Sequence, residues 1–249
     1  MLDFRGISVH YGHQDVLTGV TFRVNKGDRV GVVGPNGSGK STLFKIILGE
    51  MATDTGELII ELNPRIGFTR QNPEPDTPEE TLLEYSLRGI PGLSEMEEEM
   101  HALEADLADP AKMKRYGELQ MKFEHLGGYD IETRVKVALG GLGFSTEEFD
   151  KPFKSFSGGW RMRAELSRVL ASKPDLLLLD EPSNYLDLPA VEWLQKFLKA
   201  YDGTLMLISH DRYLLKTLTD IIVEVDAETV TRYEGDLDWY LREREVRFE

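Results

Sequence analysis

The segment that most restricts the fold is a glycine-rich loop between a predicted strand and a predicted helix. It matches the pattern G-x-x-x-x-G-K-[ST] in full and reads Gly34-Pro35-Asn36-Gly37-Ser38-Gly39-Lys40-Ser41-Thr42. Glycines let the backbone turn so that successive N–H groups converge on one anion, and the N-terminus of the following helix adds partial positive charge. The spacing and the context together predict a phosphate-binding loop, with Lys40 on the β- and γ-phosphates and the Ser41 hydroxyl on Mg²⁺.

A second candidate feature is a pair of carboxylates that follows the apolar run 176–179. These are Asp180 and Glu181. Parallel α/β sheets bind their ligands at the carboxyl ends of strands, so both side chains are expected beside the phosphate loop. Asp180 is suited to hold Mg²⁺ through water. Glu181 is expected to point the opposite way along the strand and to act as a general base for the attacking water.

The surrounding pattern is that of an α/β protein. Nearly continuous apolar runs predict strands covered on both faces, and they alternate with helices, which favours a mostly parallel sheet. The predicted strands are 28–34, 176–180 and 204–209, and the predicted helices are about 40–48 and 189–201. Residues 1–25 and 57–69 are expected to form antiparallel strands that flank this core.

A helical lobe is predicted within the α/β pattern, from Pro73 to about Phe153. Residues 74–109 contain twelve acidic residues and one arginine, but apolar residues recur every three or four positions, so one helix face should be buried. Those residues are Met96, Met100, Leu103 and Leu107. A second amphipathic helix is expected at about 111–126. A charged helix, 237–248, is expected to begin on Asp236.

Composition excludes several classes of protein. The chain of 249 residues has no cysteine, which excludes disulfide frameworks, thiolate nucleophiles and cysteine metal sites. No apolar run approaches the roughly 20 residues that span a bilayer, and no signal sequence is visible, so we expect a soluble, cytoplasmic protein without a membrane partner. The net charge of −15 argues against broad nucleic-acid binding by this chain.

Four further segments together resemble the motifs of ATP-binding cassette (ABC) ATPases. Ser157-Gly158-Gly159-Trp160-Arg161-Met162-Arg163 resembles the signature motif, with Ser157 as a natural N-cap. Gln71 resembles the Q-loop glutamine, Ser183 to Asp187 the D-loop, and His210 the switch histidine. The resemblance covers essentially the whole chain. It implies an ABC ATPase core with a mostly parallel sheet, an antiparallel β subdomain and an inserted α-helical lobe.

The resemblance also implies the remaining site residues, with ATP and Mg²⁺ as ligands. Tyr11 matches the aromatic residue that stacks on adenine, a contact worth about 1–3 kcal/mol. Gln71 would contact Mg²⁺ or the attacking water, and His210 the γ-phosphate. ABC sites are composite, because the phosphate loop of one cassette faces Ser157, Gly158 and Gly159 of another. The chain has one copy of each motif, so a second cassette is expected, in the same protein or in a second copy.

The extended signature, D-loop and switch segments resemble the ABC-F family, as does the segment Tyr233 to Tyr240. That family implies a translation factor at the ribosome, with ribosome or tRNA contacts outside this chain. The sequence departs from the family at Ser183 and Tyr185, and at Asp236-Leu237. Two alternatives stay open: the nucleotide-binding subunit of a membrane transporter, and a DNA-associated ABC-F ATPase. Trp160 argues against the transporter, where glutamine is more usual.

The resulting division has three parts. Residues 1–72 and 154–236 are expected to form the α/β core with its antiparallel strands, and residues 73–153 the helical lobe. Residues 237–249 are expected to begin a linker helix, which favours the N-terminal cassette of a tandem protein.

Overall fold

The computed structural model describes residues 1–69 and 72–248. The chain forms two compact units, of which the first contains residues 1–69 and 173–249 and the second residues 70–172. The strands are β1 (Leu2–Tyr11), β2 (Gln14–Val24), β3 (Arg29–Val33), β4 (Thr55–Ile60), β5 (Ile66–Phe68), β6 (Leu176–Asp180), β7 (Thr204–Ile208), β8 (Ile221–Asp226) and β9 (Thr229–Glu234). The α-helices are α1 (Lys40–Ile47), α2 (Leu82–Leu87), α3 (Leu93–Glu104), α4 (Pro110–His125), α5 (Ile131–Gly141), α6 (Gly158–Ala171), α7 (Leu188–Lys199), α8 (Arg212–Leu218) and α9 (Leu237–Phe248).

A six-stranded sheet in the order β5-β6-β7-β3-β8-β9 forms the centre of the first unit. All neighbouring strands are parallel except β8 and β9, which are antiparallel. Every residue of β7 is buried, as is every residue of β6 before Asp180. The near-continuous apolar runs therefore correspond to strands that are covered on both faces, as predicted.

A separate antiparallel sheet in the order β2-β1-β4 lies in the same unit. Phe4 of β1 stacks on Phe22 of β2, with ring centroids 4.3 Å apart. The prediction of antiparallel strands over 57–69 is correct for β4 and wrong for β5. Strand β5 pairs in parallel with β6, from Ile66 opposite Leu176 to Phe68 opposite Leu178. A strand of three residues is too short for its sequence to indicate which strand it pairs with. The pairing depends on which strand edge lies beside it in the folded protein.

The β8–β9 hairpin was not predicted. Asp226 pairs with Thr229 across a two-residue turn in which Ala227 and Glu228 have φ angles of 45° and 67°. Two left-handed residues are typical of a type I′ turn, which usually contains Asn-Gly or Asp-Gly. The sequence Ala-Glu does not indicate such a turn. Only the run of β-branched residues in β8 indicated a strand here.

The second unit has its own helical core. Helix α6 packs against α2 and α5, and its buried Glu165 accepts a hydrogen bond of 2.5 Å from the Tyr85 hydroxyl of α2. Arg168 donates to both oxygens of Glu165, so this buried carboxylate is paired with a cation. The unit therefore includes residues 154–172, which the sequence division placed in the α/β core.

The apolar face predicted for the acidic helix is present in part. Met100 of α3 is buried, and Met96 and Leu103 pack against the same core. Leu107 lies beyond the end of α3. Within residues 1–69 and 72–248, no helix combines the length and the apolar character needed to cross a membrane.

Candidate functional site

The glycine-rich loop connects β3 to α1 and depends on backbone conformations that favour glycine. Gly34, Gly37 and Gly39 have φ angles of 151°, 78° and 105°. Gly34 is also packed so closely that a Cβ atom would lie 2.1 Å from the backbone oxygen of Val225 in β8. The loop therefore follows a path that most residues could not adopt.

Lys40 is buried at the first position of α1, with its ammonium group folded over the loop. Its Nζ donates hydrogen bonds to the backbone oxygens of Gly34 at 2.9 Å and Pro35 at 2.7 Å. Burial holds the pKa of Lys40 below its usual value, although the nearby charges of Glu181 and Asp180 oppose this shift. These carbonyl contacts hold the ammonium group beside the glycines, where an anion bound by the loop would meet it.

Ser41 and Asp180 bring oxygen ligands together from α1 and the end of β6. The Ser41 hydroxyl donates to Oδ2 of Asp180 at 2.9 Å. A hydroxyl and a carboxylate are suitable ligands for Mg²⁺, which usually keeps several waters and takes further oxygens from substrate phosphates. The described residues contain no cluster of three histidine or acidic side chains able to hold a metal. The Ser41 hydroxyl and the Asp180 carboxylate are two oxygen ligands, which fit a Mg²⁺ ion that takes its other ligands from water and phosphate.

Glu181 has a strained backbone and a side-chain oxygen that makes no hydrogen bond to the described residues. Strand β6 ends at Asp180, and Glu181 has a φ of 49°. Strand alternation does not extend to this residue, because it lies beyond the end of β6 and has a left-handed backbone. Its Oε1 is buried without a hydrogen-bond partner in the described chain. Strain and a free buried acceptor are typical of functional positions.

His210 follows β7 and lies between the carboxylate and the loop. Its Nε2 is 3.0 Å from Oδ1 of Asn36 and 3.7 Å from Oε1 of Glu181. Its backbone N–H lies 3.3 Å from Oε2 of Glu181 and donates to it. The histidine therefore connects the glycine-rich loop with the candidate base.

These side chains surround one cavity of about 500 Å³, lined by Tyr11, Gln14, Val16, Asn36, Gly37, Gly39, Lys40, Ser41, Thr42, Asp180, Glu181, Ile208 and His210. Tyr11 is half exposed, and its hydroxyl contacts Sδ of Met51 at 3.6 Å. The cavity thus has an aromatic edge as well as a charged end, which suits a base joined to phosphates. Gln14 and Val16 were not predicted. Their position on β2, just after Tyr11, is the one signal that could have indicated them.

The other predicted site residues are not among the described residues that line the cavity. Gly34, Pro35 and Ser38 belong to the loop itself, and the buried Ser38 hydroxyl has no hydrogen-bond partner among the described residues. Ser157, Gly158 and Gly159 lie at the start of α6 in the second unit, and none is among the described residues that line the cavity. Gln71 lies outside the described residues.

The prediction that Ser157 is the N-cap of α6 is correct for its position but, among the described residues, not for a side-chain capping bond. Ser157 occupies the N-cap position of α6, but within the described chain its side chain makes no capping hydrogen bond. The serine is exposed, and its backbone oxygen accepts a hydrogen bond from the Arg161 N–H at 2.9 Å.

Comparison with known proteins gives a consistent assignment. A family model described as "ABC transporter" matches residues 17–184. The chain is 36% identical over 247 residues to "Probable ATP-binding protein YheS" of Escherichia coli (strain K12), covering 99% of this chain and 38% of that protein. It is 35% identical over 247 residues to "Tylosin resistance ATP-binding protein TlrC" of Streptomyces fradiae, covering 96% and 45%. The chain thus spans less than half the length of these curated relatives.

Solved structures share the fold at lower identity. A structure described as the ATP binding subunit of an ABC transporter has a TM-score of 0.71 at 23% identity, covering 99% of this chain and 94% of that chain. The ATP-binding cassette MJ0796, described as a dimer in a post-hydrolysis state bound to ADP and Pi, has a TM-score of 0.66 at 20% identity. That match covers 94% of this chain and 98% of the other.

Gly34→Ala is expected to lower the free energy of unfolding by about 2 kcal/mol or more, because the new Cβ would overlap the Val225 oxygen. Urea denaturation followed by circular dichroism measures the change. Gly37→Ala is the matched control, because Gly37 has open space around the added atom and loses only about 1 kcal/mol to its positive φ. Equal losses in the two variants would contradict the role assigned to the close approach at Gly34.

Proposed function

The chain belongs to the ABC family and, within it, to the ABC-F branch, and from this membership we propose that it hydrolyses ATP as one half of a paired ATPase that acts on the ribosome. One observation carries the ATPase proposal. Lys40, the adjacent pair Asp180 and Glu181, and His210 come from three different segments and meet around a single cavity with Tyr11 at its edge. The relatives support the binding of ATP, and the geometry supports the hydrolytic step proposed below.

Binding is proposed to use both ends of the cavity. The triphosphate lies on the loop N–H groups and the start of α1, and Lys40 exchanges its contacts with the Gly34 and Pro35 carbonyls for phosphate oxygens. The adenine stacks on Tyr11. Ser41 and Asp180 would hold Mg²⁺, which neutralises charge on the phosphates when it is bound.

Hydrolysis is proposed to depend on Glu181. A water molecule attacks the γ-phosphorus as its proton passes to the Glu181 carboxylate; the bond between the γ-phosphorus and the β,γ-bridging oxygen breaks, and ADP leaves. His210 orients the γ-phosphate and the carboxylate, consistent with its position between Asn36 and Glu181. Gln71, which lies outside the described residues, is proposed to contact the same water or the metal.

A second cassette is proposed to complete the site. The signature residues Ser157, Gly158 and Gly159 are exposed or half-buried at the start of α6, where they could contact a nucleotide held by another cassette. The chain spans only 38% of YheS, which leaves room in such relatives for a second cassette. MJ0796, of the same fold, forms a dimer. A tandem protein with this chain as its N-terminal cassette agrees with these findings, and a homodimer would serve the same chemistry.

Lys40→Ala is expected to reduce ATP affinity at least a hundredfold, because it removes the one point charge aimed at the β- and γ-phosphates. Equilibrium binding of an ATP analogue labelled on the ribose measures the loss. Lys45→Ala is the matched control, because Lys45 lies on the exposed side of the same helix and should bind normally. Unchanged affinity in the Lys40 variant would mean that the nucleotide binds elsewhere.

Glu181→Gln is expected to slow hydrolysis by about 10²–10⁴, because the amide keeps the size of the side chain and loses its basicity. ATP affinity should persist, since Lys40, Ser41 and Asp180 still hold the triphosphate. Phosphate release at high protein concentration, where weak pairs form, measures the rate. Hydrolysis at the wild-type rate would exclude Glu181 as the base.

The ribosomal role is tested with the full-length parent protein in cytoplasmic extract. Glu181→Gln should trap its ATP-bound closed pair, so the variant is expected to co-sediment with ribosomes in ATP and to arrest translation, while the wild type cycles off. Lys40→Ala, which cannot load ATP, is the control and should stay in the supernatant. Accumulation on membranes with a permease would favour a transporter subunit, as in the transporter structures of the same fold. Recovery on DNA would favour a DNA-associated ATPase.

A further inference from the structure

The end of strand β1, next to Tyr11, is held by a histidine that no catalytic role explains. The ring of His10 lies between two carboxylates from different segments. Its Nδ1 is 2.9 Å from Oδ2 of Asp54, and its Nε2 is 2.9 Å from Oδ1 of Asp15. The backbone N–H of His10 also donates to Oδ2 of Asp54, at 2.7 Å. One residue thus makes three polar contacts at the strand end.

These contacts join the three parts of the chain that meet there. His10 pairs with Asp15 across the β1–β2 ladder, and Asp54 immediately precedes β4. Asp54 also donates its backbone N–H to the oxygen of Ser8 at 2.9 Å. The segment that carries Asp54 follows α1, the helix that begins at the phosphate loop. The His10 contacts therefore fix the end of β1 relative to the segment leading away from that loop.

We propose that His10 is a positioning residue for the nucleotide base, because its ring holds the end of β1, and with it Tyr11, against β2 and the segment before β4. Tyr11 is the next residue and the last of β1, and its hydroxyl reaches Met51 in the same segment as Asp54. A shift of this strand end would move the aromatic edge of the cavity. The inference rests on the proposed binding of ATP and adds to it the residue that orients the adenine contact.

The protonation state of His10 follows from this geometry. A neutral imidazole has one N–H group, so it can donate to Asp15 or to Asp54 but not to both, whereas the imidazolium ion donates to each. Asp15 from β2 and Asp54 from the segment before β4 are the charged groups that contact the ring within the described chain. The hydrogen bond with Asp54, followed by the charges of Asp15 and Asp54, raises the pKa of His10 above its usual 6.5, despite some opposing desolvation.

The direction of the pH effect can be stated from that shift. The charged form holds both carboxylates at low pH, and the contact with one of them is lost as the pH rises through the raised pKa of His10. Because the three side chains are about half exposed, the effect should be modest. His10→Gln is expected to lower ATP affinity by about two- to fivefold at pH 6, and the difference from wild type should disappear by about pH 9.

A double-mutant cycle tests whether His10 acts through Tyr11. Calorimetric titration with Mg-ATP is done at pH 6, 7, 8 and 9 for the wild type, His10→Gln, Tyr11→Ala and the double variant. Comparing proteins at each pH cancels the titration of ATP itself. The expected result is that His10→Gln has no effect in the Tyr11→Ala background. His13→Gln is the matched control, because the His13 side chain is exposed and makes no hydrogen bond or ion pair within the described residues, and it should bind like the wild type.

Two results would overturn the proposal. An equal loss with and without Tyr11, or a loss that is the same at all pH values, would show that His10 acts only on general stability. Thermal melting of each variant checks that the proteins compared are folded. If the ATPase proposal itself were wrong, the result would be distinguishable. The wild type would then not bind ATP, or would bind it independently of Lys40.

Discussion

Strands β6, β7 and β3 lie side by side and point in the same direction, so the residues that follow them meet at one edge of the sheet. Glu181 follows β6, His210 follows soon after β7, and Gly34 follows β3. These residues are far apart in sequence, and only parallel pairing brings them together. The central sheet is therefore the framework on which the candidate site depends, and its buried apolar strands stabilise the positions of polar groups at its edge.

Within the described chain, some polar groups at this edge of the sheet lack hydrogen-bond partners or have strained backbone. Glu181 has a left-handed backbone, and neither its buried Oε1 nor the buried Ser38 hydroxyl has a hydrogen-bond partner within the described residues. Each such feature costs free energy in the absence of a ligand, of the order of 1–3 kcal/mol. Lys40 is satisfied by loop carbonyls, contacts that a phosphate could replace. The site thus has the character expected of one that is completed by nucleotide.

Part of the negative charge in the acidic segment of the second unit is neutralised by basic side chains nearby. Arg115 of α4 pairs with Glu99 of α3, and Lys112 pairs with Asp106 just beyond α3. The basic start of α4 therefore neutralises part of the acidic helix inside the helical hairpin. Surface pairs of this kind contribute little to stability, but they reduce the repulsion that a nucleic-acid partner would meet.

The sequence by itself determined the phosphate loop, the buried strands of a mostly parallel sheet, and the family. Each of these depends on a local pattern: glycine spacing next to a lysine, continuous apolar runs, and short motifs in a fixed order. Of the residues that the sequence predicted for the site, Tyr11, Lys40, Ser41, Asp180, Glu181 and His210 line one cavity in the structure.

Only the tertiary structure decided the rest, because those features depend on partners distant in the chain. Strand β5 is parallel because the edge of β6 was open to it, and residues 154–172 belong to the helical unit because α6 packs there. The direction of Glu181 comes from a positive φ that no residue pattern indicated. His10 obtains its role from two aspartates, of which Asp54 is 44 residues away. A sequence pattern reports local conformation, whereas contacts between distant segments are fixed only when the chain packs.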